Sequence, residues 1–223
     1  MNNSKNEREK LETIVLLGKD GVEDHELLGL AICSGQRVEK SIAIAEKLIQ
    51  LFSGIGGVIS SDYHQLISVD SEMTDSMVAI IYCIKEILGR ILRGKLKELP
   101  IIDNEVILRD YLKLVIGQSR KERLRVMYLN QSYHLIHEYI QDFGTVDSTP
   151  MYLREIIGKG LNFNATSIIV AHNHPSQDLK PTKEDKESTL DLVLTCTKLG
   201  IEFVDHIIVT ETGYFSFKEN NLL

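Results

Sequence analysis

The sequence has little of what cross-links a chain or fixes it to a membrane. It has three cysteines in 223 residues, Cys33, Cys83 and Cys196, and no two of them form a Cys-x-x-Cys pair. This spacing indicates neither a disulfide framework nor a zinc site built from thiolates. No apolar run approaches the ~18–20 residues that cross a bilayer, and residues 1–10 are polar and charged, unlike a signal peptide. We expect a soluble, cytoplasmic protein with free thiols.

A basic excess is also missing. The chain carries 25 lysines and arginines against 32 acids, which gives a net charge of −7. Residues 1–100 hold 12 basic and 15 acidic groups, and residues 101–223 hold 13 and 17, so neither half forms a basic arm. Because nucleic-acid binding through bulk charge requires clustered lysine and arginine, this balance disfavours that class of protein. A composition of 43% hydrophobic and 26% charged residues is that of an ordinary globular protein.

The apolar pattern divides the chain in two. Helical spacing dominates the first part, with its longest periodic segment at 76–93, and breaks at Leu99-Pro100. We therefore predict a small all-α domain over 1–98 and a second domain over 105–223. In the second domain strands alternate with helices, which indicates an α/β (α+β) fold with a mixed sheet flanked by helices. The predicted strands are 123–129, 135–140, 167–171, 201–210 and 214–217, and the predicted helices are 105–116, 150–161 and 183–199.

The most informative stretch is His172-Asn173-His174-Pro175, directly after the apolar strand 167–171. Side chains two residues apart on an extended segment point the same way, so His172 and His174 can direct two imidazoles at one point. Asp185, eleven residues past His174 at a predicted helix start, can supply a third ligand. Two neutral imidazoles and one carboxylate leave a zinc site with charge +1, which acidifies a bound water.

The same residues have plainer interpretations. A His-x-His pair alone is common, and Thr182 followed three residues later by Asp185 also resembles a capping box at a helix start, although Glu or Gln is usual there. Two histidines and one carboxylate also suit iron. The sequence contains no HExxH helix, P-loop, Rossmann glycine fingerprint or GxSxG elbow, so these other site types are excluded.

Taken together, the motif is specific. His-x-His-Pro, six residues, a hydroxyl residue, two more and then Asp resembles the signature of JAMM/MPN+ metalloprotease-like domains. HNHPSQDLKPTKED, the helix after it, Asp205-His206-Ile207-Ile208-Val209 and the upstream HEYIQDFGTVDSTPMYLREI resemble the bacterial RadC-like branch, over residues 105–223. Residues 5–95 resemble that family's helical N-terminal region more weakly. The resemblance implies a JAMM/MPN-like sheet with a cytidine-deaminase-like layer arrangement, preceded by a helix-hairpin-helix-like domain.

The resemblance also implies roles for residues. His172, His174 and Asp185 would bind one zinc ion, with water in the fourth position. Glu138 would be the general base and later the general acid. Thr182, where the family usually has serine, would donate a hydrogen bond to a developing oxyanion.

Glu138 also has an argument of its own. Its neighbours on the same face of a strand are Ile136 and Ile140, and burial in such an apolar row would make the carboxylate more basic. An exposed glutamate on an edge strand is the alternative. Glu155 is the rival base, although a place on the predicted helix 150–161 favours a surface role. His206 suits a hydrogen-bonded support for the site better than a ligand.

The N-terminal region departs from the resemblance. RadC-like proteins carry a Gly-x-Gly hairpin there, whose backbone N–H groups can bind a phosphate. Residues 67–72 hold no glycine and two acids, Asp70 and Glu72, which would repel a phosphate. The glycines at 54–57 lie earlier, and we expect them to end a helix. DNA is therefore a disfavoured partner.

These observations predict a zinc-dependent hydrolase of the JAMM/MPN+ type, a metallopeptidase that cleaves an amide or isopeptide bond of a peptide or protein substrate. The alternative is a DNA-associated repair or recombination accessory protein of the RadC family, with a structural or vestigial metal site. A scaffold without catalysis is a third reading, against which the four residues His172, His174, Asp185 and Glu138 argue.

Overall fold

A computed structural model of the protein describes residues 22–33, 37–142 and 153–223, with the side chain of residue 142 excepted. Predicted features at 1–10, 34–35, 143–145 and 150–152 lie outside these residues. The chain divides into two compact units, one ending at Ile87 and one running from Leu88 to Leu223. A helix crosses this division, and the domain limits 1–98 and 105–223 stay a prediction. Within the part of the chain described, no helix is long and apolar enough to span a membrane.

The described part of the first unit is helical. Its buried apolar side chains form one core, which includes Leu28, Leu48, Leu66, Met77 and Ile81. The helices are α1 (Asp24–Ala31), α2 (Val38–Leu51), α3 (Ile55–Ser60), α4 (Tyr63–Ile67) and α5 (Asp75–Glu98), the last of which continues into the second unit.

Glycines occupy the turn before α3 and the first part of that helix. Gly54 has a φ of +130°, a backbone conformation that L-residues with a side chain rarely adopt. Gly57 is packed so closely that an added Cβ would lie 1.9 Å from the carbonyl oxygen of Phe52, whereas nothing lies within 4 Å of a Cβ added at Gly56. Close packing therefore requires glycine at position 57 but not at position 56.

The turn between α4 and α5 presents carboxylates. Lys47 Nζ of α2 lies 2.6 Å from Asp70 Oδ2, and Lys40 of the same helix pairs with Glu72. The backbone N–H of Glu72 donates to Asp70 Oδ1 at 2.8 Å. A phosphate-binding hairpin presents free N–H groups. Here the N–H of Glu72 already donates to a carboxylate of the same turn.

The second unit is built on a five-stranded sheet with the order β2-β1-β3-β4-β5. Strands β3 and β4 are parallel, and the other neighbouring pairs are antiparallel. The predicted mixed sheet flanked by helices is confirmed. The strands are β1 (Arg123–Leu129), β2 (Leu135–Asp142), β3 (Ser167–Asn173), β4 (Glu202–Val209) and β5 (Tyr214–Ser216), and the helices are α6 (Glu105–Leu112), α7 (Leu153–Asn162) and α8 (Lys183–Lys198), with a 3₁₀ turn at Ile101–Asp103 and a π-helical turn at Lys113–Gly117.

Both faces of the sheet are covered, and strand alternation decides which residues each face receives. We call the face that carries Met127 and Ile169 the α6 face, because it packs on Leu108 and Leu112 of α6. The opposite α8 face carries Leu124, Val126, Ile168 and Val170, which pack on Leu192 and Cys196 of α8. The parallel strands β3 and β4 require a crossover, and α8 supplies it.

Gly57→Ala should lower the free energy of unfolding by about 1–3 kcal/mol, because the new methyl group must displace the Phe52 carbonyl. Gly56→Ala is the matched control: with open space around it, it should be neutral or stabilise by up to about 1 kcal/mol. Chemical denaturation of both variants tests this. Equal effects of the two substitutions would contradict the close packing at Gly57.

Candidate metal centre

The end of β3 brings two imidazoles together. His172 is the second-last residue of β3 and His174 follows the strand end, so both side chains leave the same side of the chain. Their Nε2 atoms lie 2.9 Å apart. Both residues are buried, His172 at 2% and His174 at 8% exposure. The strand thus directs two ring nitrogens at one point, as its spacing predicted.

The first turn of α8 brings the carboxylate. Asp185 Oδ1 lies 3.2 Å from His172 Nε2, and Asp185 Oδ2 lies 3.3 Å from His174 Nε2. Ligand atoms of the three residues all lie within 4.8 Å of one another. The structure therefore assembles the predicted group of two histidines and one aspartate.

The dimensions of this group fit a zinc ion. Zinc–nitrogen bonds of ~2.0–2.1 Å at a tetrahedral angle place two donors roughly 3.3–3.4 Å apart. The observed separations, 2.9 to 3.3 Å, are close to that value. Two imidazole nitrogens and a carboxylate oxygen are also a donor set that zinc accepts.

The charges of the group show how it competes for protons. Burial lowers the pKa of His174, but hydrogen bonds to Asp185 and to the Asp178 carbonyl, with the charges of Asp185 and Glu122, raise it above 6.5 overall. Burial raises the pKa of Asp185, but its contacts with the imidazoles of His172 and His174 hold that pKa well below its usual range. Both shifts favour a protonated His174 beside an ionised Asp185, so a metal ion that binds His174 competes with that proton.

The outer nitrogen of each imidazole has a partner. His174 Nδ1 donates to the carbonyl oxygen of Asp178 at 2.6 Å, so Nε2 is the nitrogen that can bind a metal once its proton is displaced. His172 Nδ1 lies 2.8 Å from Nε2 of His206, a fully buried residue on β4. Burial, with the neighbouring His172, lowers the pKa of His206 well below 6.5. His206 contacts a candidate ligand from behind and is not among the three ligand residues.

Thr182 caps α8. Its Oγ1 accepts from the backbone N–H of Asp185 at 3.0 Å and donates to Asp185 Oδ2 at 2.7 Å, and the Asp185 carboxylate accepts the Thr182 N–H at 2.7 Å. This is the capping box that the sequence left open. The Thr182 hydroxyl donates its hydrogen bond to the Asp185 carboxylate, so Thr182 holds this candidate ligand in place. Its predicted role as a donor to an oxyanion stays a prediction.

Glu138 lies on the other side of the sheet from the histidines. It pairs with Met127, which pairs with Ile169. His172 lies three positions after Ile169 on β3, an odd offset, so Glu138 is on the α6 face and His172 on the α8 face. The general-base role predicted for Glu138 does not fit this placement, because the sheet stands between its carboxylate and the site.

The surroundings of Glu138 also differ from the expected apolar row. Its carboxylate accepts from the Tyr111 hydroxyl at 2.8 Å and from Arg125 Nη1 at 3.0 Å, and Arg93 Nε lies 3.2 Å away. Ile136 and Ile140 are 37% and 47% exposed. Glu138 is therefore buried by residues distant in sequence, and it forms ion pairs with Arg93 and Arg125.

Glu122 is a carboxylate near the site that the sequence analysis did not single out. Leu124 pairs with His172, and Arg123 N–H donates to the Asn173 side chain at 2.8 Å. A continuation of this register by two residues would bring Glu122 opposite His174, on the α8 face. Its charge raises the pKa of His174, which places it near the site. The sequence carried one usable signal: Glu122 lies two residues before Leu124 and four before Val126, so it shares their face if the strand is extended by one residue.

Asn173, between the two histidines, braces the segment that carries Glu122. It is fully buried, and its Nδ2 donates to the carbonyl oxygens of Ser119 at 2.9 Å and Lys121 at 3.2 Å. Its side chain points to the α6 side of β3, opposite to the histidines on either side of it. The same short segment of β3 therefore supplies two candidate ligands and anchors the candidate base. Glu155, the rival base, accepts a hydrogen bond from Tyr139 at 2.7 Å and is exposed.

Known proteins resemble this chain over most of its length. Residues 102–222 match a family described as RadC-like JAB domain. A UPF0758 protein of Fusobacterium nucleatum is 32% identical over 92% of this chain and 91% of its own length. UPF0758 proteins of Leptothrix cholodnii and Variovorax paradoxus are 30% and 27% identical, each over 95% of this chain and 94–95% of their own length.

Zinc affinity should fall as the pH is lowered. Because the pKa of His174 is raised above 6.5, a zinc ion must displace one proton at any pH below that raised value. The logarithm of the association constant, measured by chelator competition, should drop by about one per pH unit there and level off above it. In Glu122→Gln, which removes one raising charge, the break should move to lower pH. An affinity that is constant across the break would contradict this account of His174.

Proposed function

The chain belongs to the family of RadC-like JAB domain proteins, and on that premise we propose that it is a zinc-dependent hydrolase of the JAMM/MPN+ type, a metallopeptidase that cleaves an amide or isopeptide bond. The observation that carries the proposal is the meeting of His172, His174 and Asp185, whose ligand atoms lie within 4.8 Å of one another. A zinc ion held by these residues supplies an electrophile that polarises a carbonyl and makes water more acidic.

The protein's own residues divide the remaining work. His172 and His174 direct their Nε2 atoms at the site, because their Nδ1 atoms are engaged with His206 and with the Asp178 carbonyl. Thr182 and the first turn of α8 hold the Asp185 carboxylate in its orientation. The ligands are therefore fixed before any metal arrives, which limits the reorganisation that binding requires.

We assign the proton transfers to Glu122. Two observations support this assignment: the β1–β3 register, continued past Leu124 and His172, brings Glu122 to the face that carries the candidate ligands, and the charge of Glu122 raises the pKa of His174. Glu122 takes a proton from the attacking water and returns it to the leaving amine, the two steps that amide hydrolysis requires of a base. Glu138 keeps a structural role, because Arg93, Arg125 and Tyr111 already engage its carboxylate.

Peptides and proteins suit the chain better as substrates than nucleic acids do. The net charge is −7, and the turn that would hold a phosphate-binding hairpin presents Asp70 and Glu72 in pairs with lysines of α2. Phosphate contacts depend on unengaged basic side chains and N–H groups. These observations favour the peptidase over the alternative of a DNA-associated accessory protein.

A comparison of Glu122→Gln with Glu138→Gln tests the proposal. The zinc-loaded protein is incubated with a proteome-derived peptide library and with lysine-linked isopeptides, and new termini are counted by mass spectrometry. Cleavage should fall at least about 100-fold in Glu122→Gln with zinc content retained, since general-base catalysis contributes 10²–10⁴-fold.

Glu138→Gln should lower the melting temperature, because it leaves two arginines without their carboxylate, yet retain cleavage per folded molecule. Unchanged cleavage in Glu122→Gln would remove this residue from the mechanism. No cleavage of either library by the zinc-loaded parent would contradict the proposed activity.

A further inference from the structure

A chain of hydrogen bonds runs behind His172, away from the other two candidate ligands. His172 Nδ1 lies 2.8 Å from His206 Nε2, and His206 Nδ1 lies 2.6 Å from Thr189 Oγ1. Thr189 Oγ1 in turn lies 2.5 Å from the carbonyl oxygen of Asp185. The chain therefore begins at one candidate ligand and ends on the backbone of another.

We propose that Thr189 is a positioning residue which, through His206, sets the ring nitrogen of His172 that carries the proton and so keeps His172 Nε2 available to a metal ion. The inference rests on the metal site of the proposed function and is independent of whether the protein hydrolyses a substrate.

The direction of each hydrogen bond follows from the chemistry of the groups. A carbonyl oxygen can only accept, so Thr189 donates its hydroxyl proton to Asp185 and offers a lone pair to His206. His206 then donates from Nδ1 and accepts at Nε2, which requires His172 to carry its proton on Nδ1. A neutral imidazole has one N–H, so His172 Nε2 keeps its lone pair on the side of His174 and Asp185.

The reverse order would disable the site. If His206 carried its proton on Nε2, it would donate to His172 Nδ1, and the proton of His172 would then occupy Nε2, the atom 3.2 Å from Asp185. A metal ion could not bind there without moving a proton along the whole chain. The tautomer of His172 that can bind a metal therefore requires an acceptor for the His206 Nδ1–H. Thr189 Oγ1 is that acceptor.

Burial makes the hydroxyl hard to replace by water. His206 is fully buried, and Thr189 and His172 are each 2% exposed. The His206 ring also stacks on Phe217, with centroids 4.6 Å apart and an interplanar angle of 16°. Phe217 covers one face of the His206 ring, and both ring nitrogens have partners. The loss of Thr189 Oγ1 would therefore leave the Nδ1–H of His206 without the acceptor it has here.

Thr189→Val, which has nearly the same shape but no hydroxyl, tests the inference. Zinc affinity measured by chelator competition should weaken about 10–100-fold, the range typical of lost support behind a metal ligand. Thr189→Ser, which keeps the hydroxyl, should stay within about threefold of the parent.

Thr195→Val is the matched control. Thr195 lies on the same helix and donates to the carbonyl four residues earlier at 2.7 Å, as Thr189 does, but does not contact the site. Its zinc affinity should equal that of the parent. Parent-like affinity in Thr189→Val, or equal weakening in Thr189→Ser and Thr189→Val, would overturn the proposal.

A second measurement needs no substitution and so does not depend on a variant's folding. Nitrogen-15 NMR shifts of the zinc-loaded parent should show the protons of His172 and His206 on Nδ1. A proton on Nε2 of His206 would overturn the relay. Failure of the peptide libraries to be cleaved would count against the hydrolase alone, since zinc affinity and ring protonation are read without substrate.

Discussion

The second unit depends on one meeting point, where the end of β3 faces the first turn of α8. The strand brings His172 and His174, and the helix brings Asp185, with their donor atoms 2.9 to 3.3 Å apart. Grouping a carboxylate with two buried imidazoles is costly unless they share protons or a metal ion. The raised pKa of His174 beside the lowered pKa of Asp185 favours a shared proton, and the separations of the donor atoms are close to those of a zinc site.

The surrounding structure holds these three residues from behind. The capping box at Thr182 orients the Asp185 carboxylate, the Asp178 carbonyl orients His174, and His206 with Thr189 orients His172. Each candidate ligand thus has its own hydrogen-bond partner, and the partner of His172 is fully buried. The two sheet faces also divide the acidic groups, with Glu122 on the ligand side and Glu138 among arginines on the other.

Much of this could be predicted from local pattern. The strand 123–129 has the bounds predicted from its alternation, and the His-x-His spacing with the start of α8 was enough to predict the ligand group, because each of these features is local in sequence. The choice between Glu122 and Glu138 could not be made this way. It depends on the pairing of β1 with both β2 and β3, and one residue of register decides which face a side chain reaches. Likewise, the relay joins Thr189 of α8 to His206 of β4, a contact that only the folded sheet and helix create.

The central claim is that His172, His174 and Asp185 hold a metal ion, and zinc analysis of the purified protein tests it most directly. The account predicts about one zinc ion per chain in the parent and none in a His172→Ala/His174→Ala double variant that keeps its circular dichroism spectrum. A full zinc complement in the folded double variant would contradict it.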